Sequence, residues 1–297
     1  MSAMPRVITA AAFLCALATG AQAEPLRIPV LVPITGFLAL EGTSQKNGAE
    51  LALRGSGVDF DVDDTATSPE IAVNAFERAL TSGRNREDVV AVVASMLGTQ
   101  MLALVPLADE FAVPMVTVSG TARITELGSP NVFRFFPGDV VVKAAHARYA
   151  VEELGAKRPA VIFQTTAYGQ SGRAELDRNL TALGHPAVIA EGLDVSVKDM
   201  LPVLSKVRDS GADALLLHLH SGPTALVVRQ ARAMGLNIPI IAGSAMHQPE
   251  TAALLEPSEL AGVCAESGAS PISETNPDML AFADAYRAAF DREPDAF

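Results

Sequence analysis

The histidines offer the most visible chemistry. In "LLLHLHSGPT", residues 215–224, His218 and His220 stand two apart at the end of an apolar run, just before a turn signal. Alternate residues of a strand face the same way, so the two imidazoles could converge, and His247 follows the next apolar run. Three imidazoles at one cleft could hold zinc. No carboxylate or Cys at ligand spacing accompanies them, and no metal is expected. A His at a strand end more often lines a wall through hydrogen bonds, so His220, with Ser221, is expected to read a ligand, and His218 to pack behind it. Asp63-Asp64 could suggest a metal or acid–base pair, but its place after a short apolar run reads as a strand-end turn.

Catalytic signatures are missing elsewhere. "GQSG" (169–172) is not a Gly-x-Ser-x-Gly elbow, and there is no phosphate loop, no His-Glu-x-x-His and no dinucleotide glycine pattern opening the first helix. No enzyme activity and no cofactor are expected.

Length and composition bound the rest. A chain of 297 residues, 49% of them apolar, has room for two domains with real cores. The first 23 residues carry one cation (Arg6), an apolar stretch from about Val7 to Leu17 and a small-x-small end at Ala21-Gln22-Ala23. They read as a secretory leader cleaved before Glu24. The apolar run is shorter than the roughly 20 residues that span hydrocarbon, and Leu14 before Cys15 is too bulky for a lipoprotein cleavage site. An exported, periplasmic, monomeric protein is expected. Removing the leader leaves Cys264 as the one thiol and 21 basic against 34 acidic side chains, a net of −13. Such a chain repels phosphate backbones and anionic lipid, which argues against nucleic-acid or membrane-surface binding.

Apolar runs at 27–34, 58–62, 89–95, 114–119, 159–164, 186–192, 212–220 and 238–244 alternate with segments of helical period. Most are apolar throughout, as strands covered on both faces of a parallel sheet are. Ser68-Pro69-Glu70 puts a cap and an N1 proline before "EIAVNAFERAL", whose Ile71, Ala75, Phe76 and Ala79 are expected to share a buried face. The fold class is α/β, in two series of βα units, about 25–137 and 138–268, with "RFFPGDVVVKAAHARYAVEELGA" (134–156) carrying the chain from one to the other. In open sheets of this kind ligands sit beyond the carboxyl ends of the strands. Those ends are "TGFLALEG" (35–42), "GTQ" (98–100), "SGTAR" (119–123), "TTAYGQSG" (165–172), "HLHSG" (218–222) and "GSAMH" (243–247). Glycine, hydroxyls, a tyrosine and histidines dominate them, which suits desolvation of a small polar ligand. Gly98-Thr99-Gln100 opens a helix whose first N–H groups favour an anion such as a carboxylate, although Thr99 could equally serve as that helix's cap.

Five segments in order carry a resemblance: "VPITGFLALEGTSQKNGAELAL", "VDDTATSPEIAVNAFERAL", "GTQMLALVPLADEFAVPMVTVSGTA", "AYGQSG" and "VVRQARAMGLNIPIIAG". From residue 25 onward the chain resembles the periplasmic solute-binding proteins of the branched-chain amino acid (Leu/Ile/Val) type, receptors that feed ABC importers. The resemblance implies a type I fold: two Rossmann-like lobes with parallel sheets joined by a hinge, residues 24–137 with 269–297 forming one lobe and 138–268 the other, with three crossings between them. It implies a ligand carboxylate held by Gly98, Thr99, Ser119, Gly120 and Thr121, with Tyr168 and His220 or Ser221 closing from the second lobe. It also implies a permease and an ATPase as partners. Two departures stand out. Ser244, Ala245 and Met246 occupy the place where amino-acid binders of this type carry an acid for the ligand ammonium. Glu41, where many members carry an aromatic, is either an acid moved across the cleft or a solvated loop carboxylate. Family members continue beyond "REPDAF", so a C-terminal truncation is expected. The ligand stays open between an amino acid and a plain carboxylate, aromatic or amide-bearing. A sensor of the same fold signalling to a receptor, or a divalent-metal binder, are the rival readings.

Overall fold

The computed structural model describes residues 25–81, 86–271, 273 and 275–297. The leader read at 1–23 lies outside the described residues.

The first half runs β1 (Val30–Val32), α1 (Ala39–Leu53), β2 (Val62–Asp64), α2 (Pro69–Thr81), β3 (Val92–Ala94), α3 (Gly98–Glu110), β4 (Met115–Thr117), α4 (Arg123–Glu126) and β5 (Val132–Arg134). The second runs α5 (Asp139–Arg148), β6 (Pro159–Gln164), α6 (Ala167–Ala182), β7 (Ile189–Leu193), α7 (Leu201–Asp209), β8 (Ala214–His218), α8 (Ser221–Ala233), β9 (Ile240–Ala242), α9 (Pro249–Ala252) and β10 (Val263–Ala265). The chain then returns, and α10 (Pro277–Phe290) packs on α1, where Asn47 donates to the Tyr286 hydroxyl at 3.2 Å.

Each half builds a five-stranded sheet, ordered β2-β1-β3-β4-β5 and β10-β9-β8-β6-β7, and every strand pairing is parallel. Read from β7, the second sheet repeats the order of the first. In each, the connections turn to opposite sides of the sheet at one point, between β1 and β3 and between β6 and β8. Loops leaving the carboxyl ends of those strands diverge there and leave a crevice. The helices that open there carry Glu41, Gly98 and Thr99 in their first turns in one half, and Tyr168 and Ser221 in the other, with His220 just before α8.

The uniformly apolar runs became the fully buried strands β1, β6, β8 and β9. The runs at 58–62 and 186–192 sit later than expected, at 62–64 and 189–193. The three-residue edge strands β5 and β10 left no apolar run long enough to be read. On α2 the buried side chains are Ala72, Ala75, Phe76, Ala79 and Leu80. Ile71 is instead 40% exposed, because Ala72 and Leu80 rotate the stripe away from it. Asp64 accepts from the N–H groups of Ile34, Thr35 and Ala66 and from the Thr35 hydroxyl; the aspartate pair thus ends β2 and Asp64 braces the turn after it, while Asp63 pairs with Arg78.

Phe76 is wholly buried and its ring lies 6.1 Å from that of Phe111. Phe76→Ala is expected to cost about 3–5 kcal/mol of first-lobe stability in urea unfolding; a loss below about 1 kcal/mol would contradict the packing described.

Candidate functional site

The loops at the two crevices face one another and enclose a small cavity. Leu38, Met96, Leu97, Val118 and Phe136 give it an apolar wall from the first lobe, closed by Phe297. Glu41 and Gly120 complete that side, and Tyr168, His220, Ser244 and Ala245 form the other. The cavity volume is about 30 Å³, room for one or two waters. Small-molecule sites usually measure hundreds of cubic ångströms, so the cavity as it stands is nearly closed.

Three backbone N–H groups donate across the cleft. Ala122 N–H reaches the Ser171 hydroxyl at 2.9 Å, Ala167 N–H reaches Thr99 Oγ1 at 3.2 Å, and Ser221 N–H reaches Glu41 Oε1 at 3.1 Å. Thr99 is therefore engaged with the partner lobe, and α3 begins after Leu97 with no side-chain cap. Gly98 is small because a Cβ there would lie 2.0 Å from Thr121 Oγ1.

Glu41 lies in the first turn of α1, not in a loop, and is 2% exposed. Its Oε1 also meets Ser221 Oγ at 2.5 Å, while its Oε2 has no partner. Burial raises its pKa, partly opposed by the hydrogen bonds from Ser221. Ser119 and Thr121 are buried beside Gly120, and both hydroxyls lack a partner. Arg134 holds that loop by its carbonyls, at 2.9 Å from Thr121 O and 3.4 Å from Gly120 O.

Tyr168, second residue of α6, carries the opposite wall. Its ring centroid lies 3.8 Å from that of His218 and 5.2 Å from that of His220. Burial and the carboxyls of Glu266 and Asp139 push the phenol well above its usual pKa, despite a hydrogen bond with Ser244. Gly172 makes the stack possible, since a Cβ there would sit 2.0 Å from the His218 ring. His220 caps α8, lies 3.3 Å from Thr166 Oγ1, and is driven by burial to a pKa of about 3, so it is neutral at pH 7. His218 points Nε2 at Tyr168 O, 3.1 Å away. That nitrogen must donate, which leaves Nδ1 an acceptor without a partner. His247 bonds Ser270 instead. Among the described residues no group of three or more His, Cys, Asp or Glu is placed to hold a metal ion.

Of the residues singled out from sequence, Glu41, Gly120, Tyr168, His220 and Ser244 line the cavity, whereas Gly98, Thr99, Ser119, Thr121 and Ser221 are not among its lining residues, and Thr121 lines a neighbouring groove with Ala122 and Ser171. One group escaped sequence reading entirely. Beneath Tyr168 and His218, Asp139, Lys143 and His146 of α5 are buried to within 3% while Val141 on the same helix is 66% exposed. Lys143 pairs with Glu266 at the end of β10, His146 Nδ1 lies 2.9 Å from the same carboxylate, and Asp139 Oδ1 stands 3.7 Å from His218 Nε2. The i, i+4, i+7 spacing of the three was the available signal, but hydrophobic patterning assigns such a face to solvent.

Burial raises the Asp139 pKa to about 7, against the attraction of Lys143. A raised folded-state pKa gives stability that is full below the unfolded value near 3.8 and is lost as pH rises through about 7. Asp139→Asn should therefore flatten the fall of melting temperature between mildly acidic and neutral pH; a fall as steep as in the parent chain would contradict this origin.

The comparisons agree with this architecture. The sequence pattern of the periplasmic binding protein family matches residues 25–297. An amino acid binding protein of Pseudomonas aeruginosa is 30% identical over 287 residues, covering 92% of this chain and 74% of the relative. A Leu/Ile/Val-binding protein of Rhizobium johnstonii, BraC3, is 26% identical, covering 89% and 72%. The crystal structure of the leucine binding protein LivK from Thermotoga maritima superposes with a TM-score of 0.81 at 27% identity, covering 91% of this chain and 78% of that one. No described helix is long and apolar enough to cross a membrane. The family match over residues 25–297 and the 30% identical relative place the chain among solute-binding receptors: it belongs to the periplasmic binding protein family, with Leu/Ile/Val-binding and leucine binding proteins among its relatives.

Proposed function

We propose that the chain is a periplasmic receptor that captures a small carboxylate-bearing ligand, an amino acid or a related organic acid or amide, and delivers it to the permease and ATPase of an ABC importer. Residues 24–137 with 269–297 act as one jaw and residues 138–268 as the other. The observation that supports the reading is the pair of buried, unpartnered hydroxyls of Ser119 and Thr121, the chain neighbours of Gly120, which lines the cavity together with Tyr168 and His220. Unpaired buried donors cost free energy until something accepts from them, and a carboxylate is an acceptor without a proton of its own to place. Apart from Glu41 the wall carries no ionisable group but the phenol of Tyr168 and the neutral His220, so the anion is held by dipoles. The names of the Pseudomonas and Thermotoga relatives, an amino acid binder and a leucine binder, support the same ligand class. Capture works by differential affinity: contacts from both jaws exist only when they meet, so the ligand's binding energy selects the closed form.

A thermal-shift series of the mature chain against amino acids, aromatic acids, amides and divalent metals tests the reading. A shift with a small acid is expected, and a shift with zinc alone would overturn it. Thr99→Ala and Tyr168→Ala should each weaken binding of that acid by about tenfold, roughly the worth of one hydrogen bond, with circular dichroism unchanged. Equal affinity in both variants would remove the site from this cleft.

A further inference from the structure

The polar contacts behind Glu41 contain too few hydrogens if both of their carboxyls are ionised. Ser221 Oγ lies 2.5 Å from Glu41 Oε1 and 2.7 Å from Gln248 Oε1, yet a hydroxyl donates only once. Gln248 turns its amide nitrogen to Asp295 Oδ2 at 2.7 Å, and the Ser44 hydroxyl donates to that same oxygen at 2.7 Å. Flipping the amide does not help, because its oxygen would then face the Asp295 carboxylate. One extra proton is needed. With the amide as it stands, it belongs on Glu41 Oε1, donating to Ser221 Oγ while Ser221 Oγ donates to Gln248.

We propose that Glu41 closes the cleft as a neutral carboxylic acid and surrenders its proton to solvent only when the captured ligand brings a cationic group to its free oxygen, Oε2. The proposal rests on the cleft being the ligand site. Two forces balance at this residue. Burial without a countercharge disfavours the anion, and Asp295 opposes it further. The amino end of α8, whose first N–H already points at Oε1, stabilises the anion once a cation arrives. The other groups facing Glu41 do not supply that cation. His220 at the start of α8 is neutral, and Tyr168 on α6 is a phenol. Behind Gln248 and Asp295 stand His247, whose pKa burial lowers, and Glu250, which already holds Arg292. On α1 itself Lys46 pairs with Glu50. A ligand with an ammonium and one without therefore leave Glu41 in different protonation states.

Calorimetry of the full chain with L-leucine and with 4-methylpentanoate, its counterpart lacking the ammonium, in buffers of different ionisation enthalpy at mildly acidic pH reads that difference. The two ligands should differ by about one proton exchanged per site, and Glu41→Gln should abolish the difference. Equal proton exchange for both ligands in the parent chain overturns the proposal. The infrared carbonyl band of a protonated carboxyl in the ligand-free chain gives a second readout: it should lose intensity in Glu41→Gln, and an unchanged band overturns the proposal whatever binds. Failure of every small acid to shift the melting temperature would sink the receptor reading separately, leaving the infrared result to decide this one.

Discussion

Everything at this site depends on buried and half-buried backbone N–H groups being satisfied from the opposite lobe. Ala122, Ala167 and Ser221 each sit at the start of a helix or in the turn before it, where the first N–H groups have no partner of their own. Each is satisfied by a side chain across the cleft: Ser171, Thr99 and Glu41 respectively. When the lobes part, these donors return to water at little cost. When they meet, the donors are desolvated and must be paired. That exchange makes the lobes separable and makes their closure specific, because an apolar interface of the same size would simply stick.

The ordinary fold supplies this by repetition. Two sheets with one strand order place two crevices mouth to mouth, and the residues that matter fall at the starts of the helices that follow β1, β3, β6 and β8. Beneath the second lobe's wall, the buried pair of Lys143 and Glu266 joins α5, which receives the chain after the first crossing, to the end of β10, where the second crossing begins. A buried ion pair adds little net stability but punishes misplacement severely. Here it fixes both strands of the hinge relative to the floor on which His218 and Tyr168 stack. The neutral histidines and the phenol then give the cavity a side with hydrogen-bonding capacity and no charge.

Much of this was legible in the amino-acid order. Runs of consecutive apolar residues announced parallel strands, and glycine, hydroxyl and aromatic residues after those runs announced the walls of the crevice. Tyr168, His220 and Gly120 were found because strand ends are where such folds bind. Edge strands β5 and β10 were missed because three half-exposed residues leave no periodic trace. Asp139, Lys143 and His146 were missed because the reading of helices assumes that charge faces water, whereas α5 buries its charged face against Glu266 and exposes Val140 and Val141. Glu41 was seen, but its burial was not, since only the three-dimensional neighbour Ser221, 180 residues away, explains how an acid survives there.

The most direct measurement is amide hydrogen exchange at Ala122, Ala167 and Ser221 in the mature chain, with and without an acid that raises its melting temperature. Clamping predicts that exchange slows at all three together, since all are paired only when the lobes meet. Slowing confined to one lobe, or no change at any of the three with the ligand bound, would contradict it.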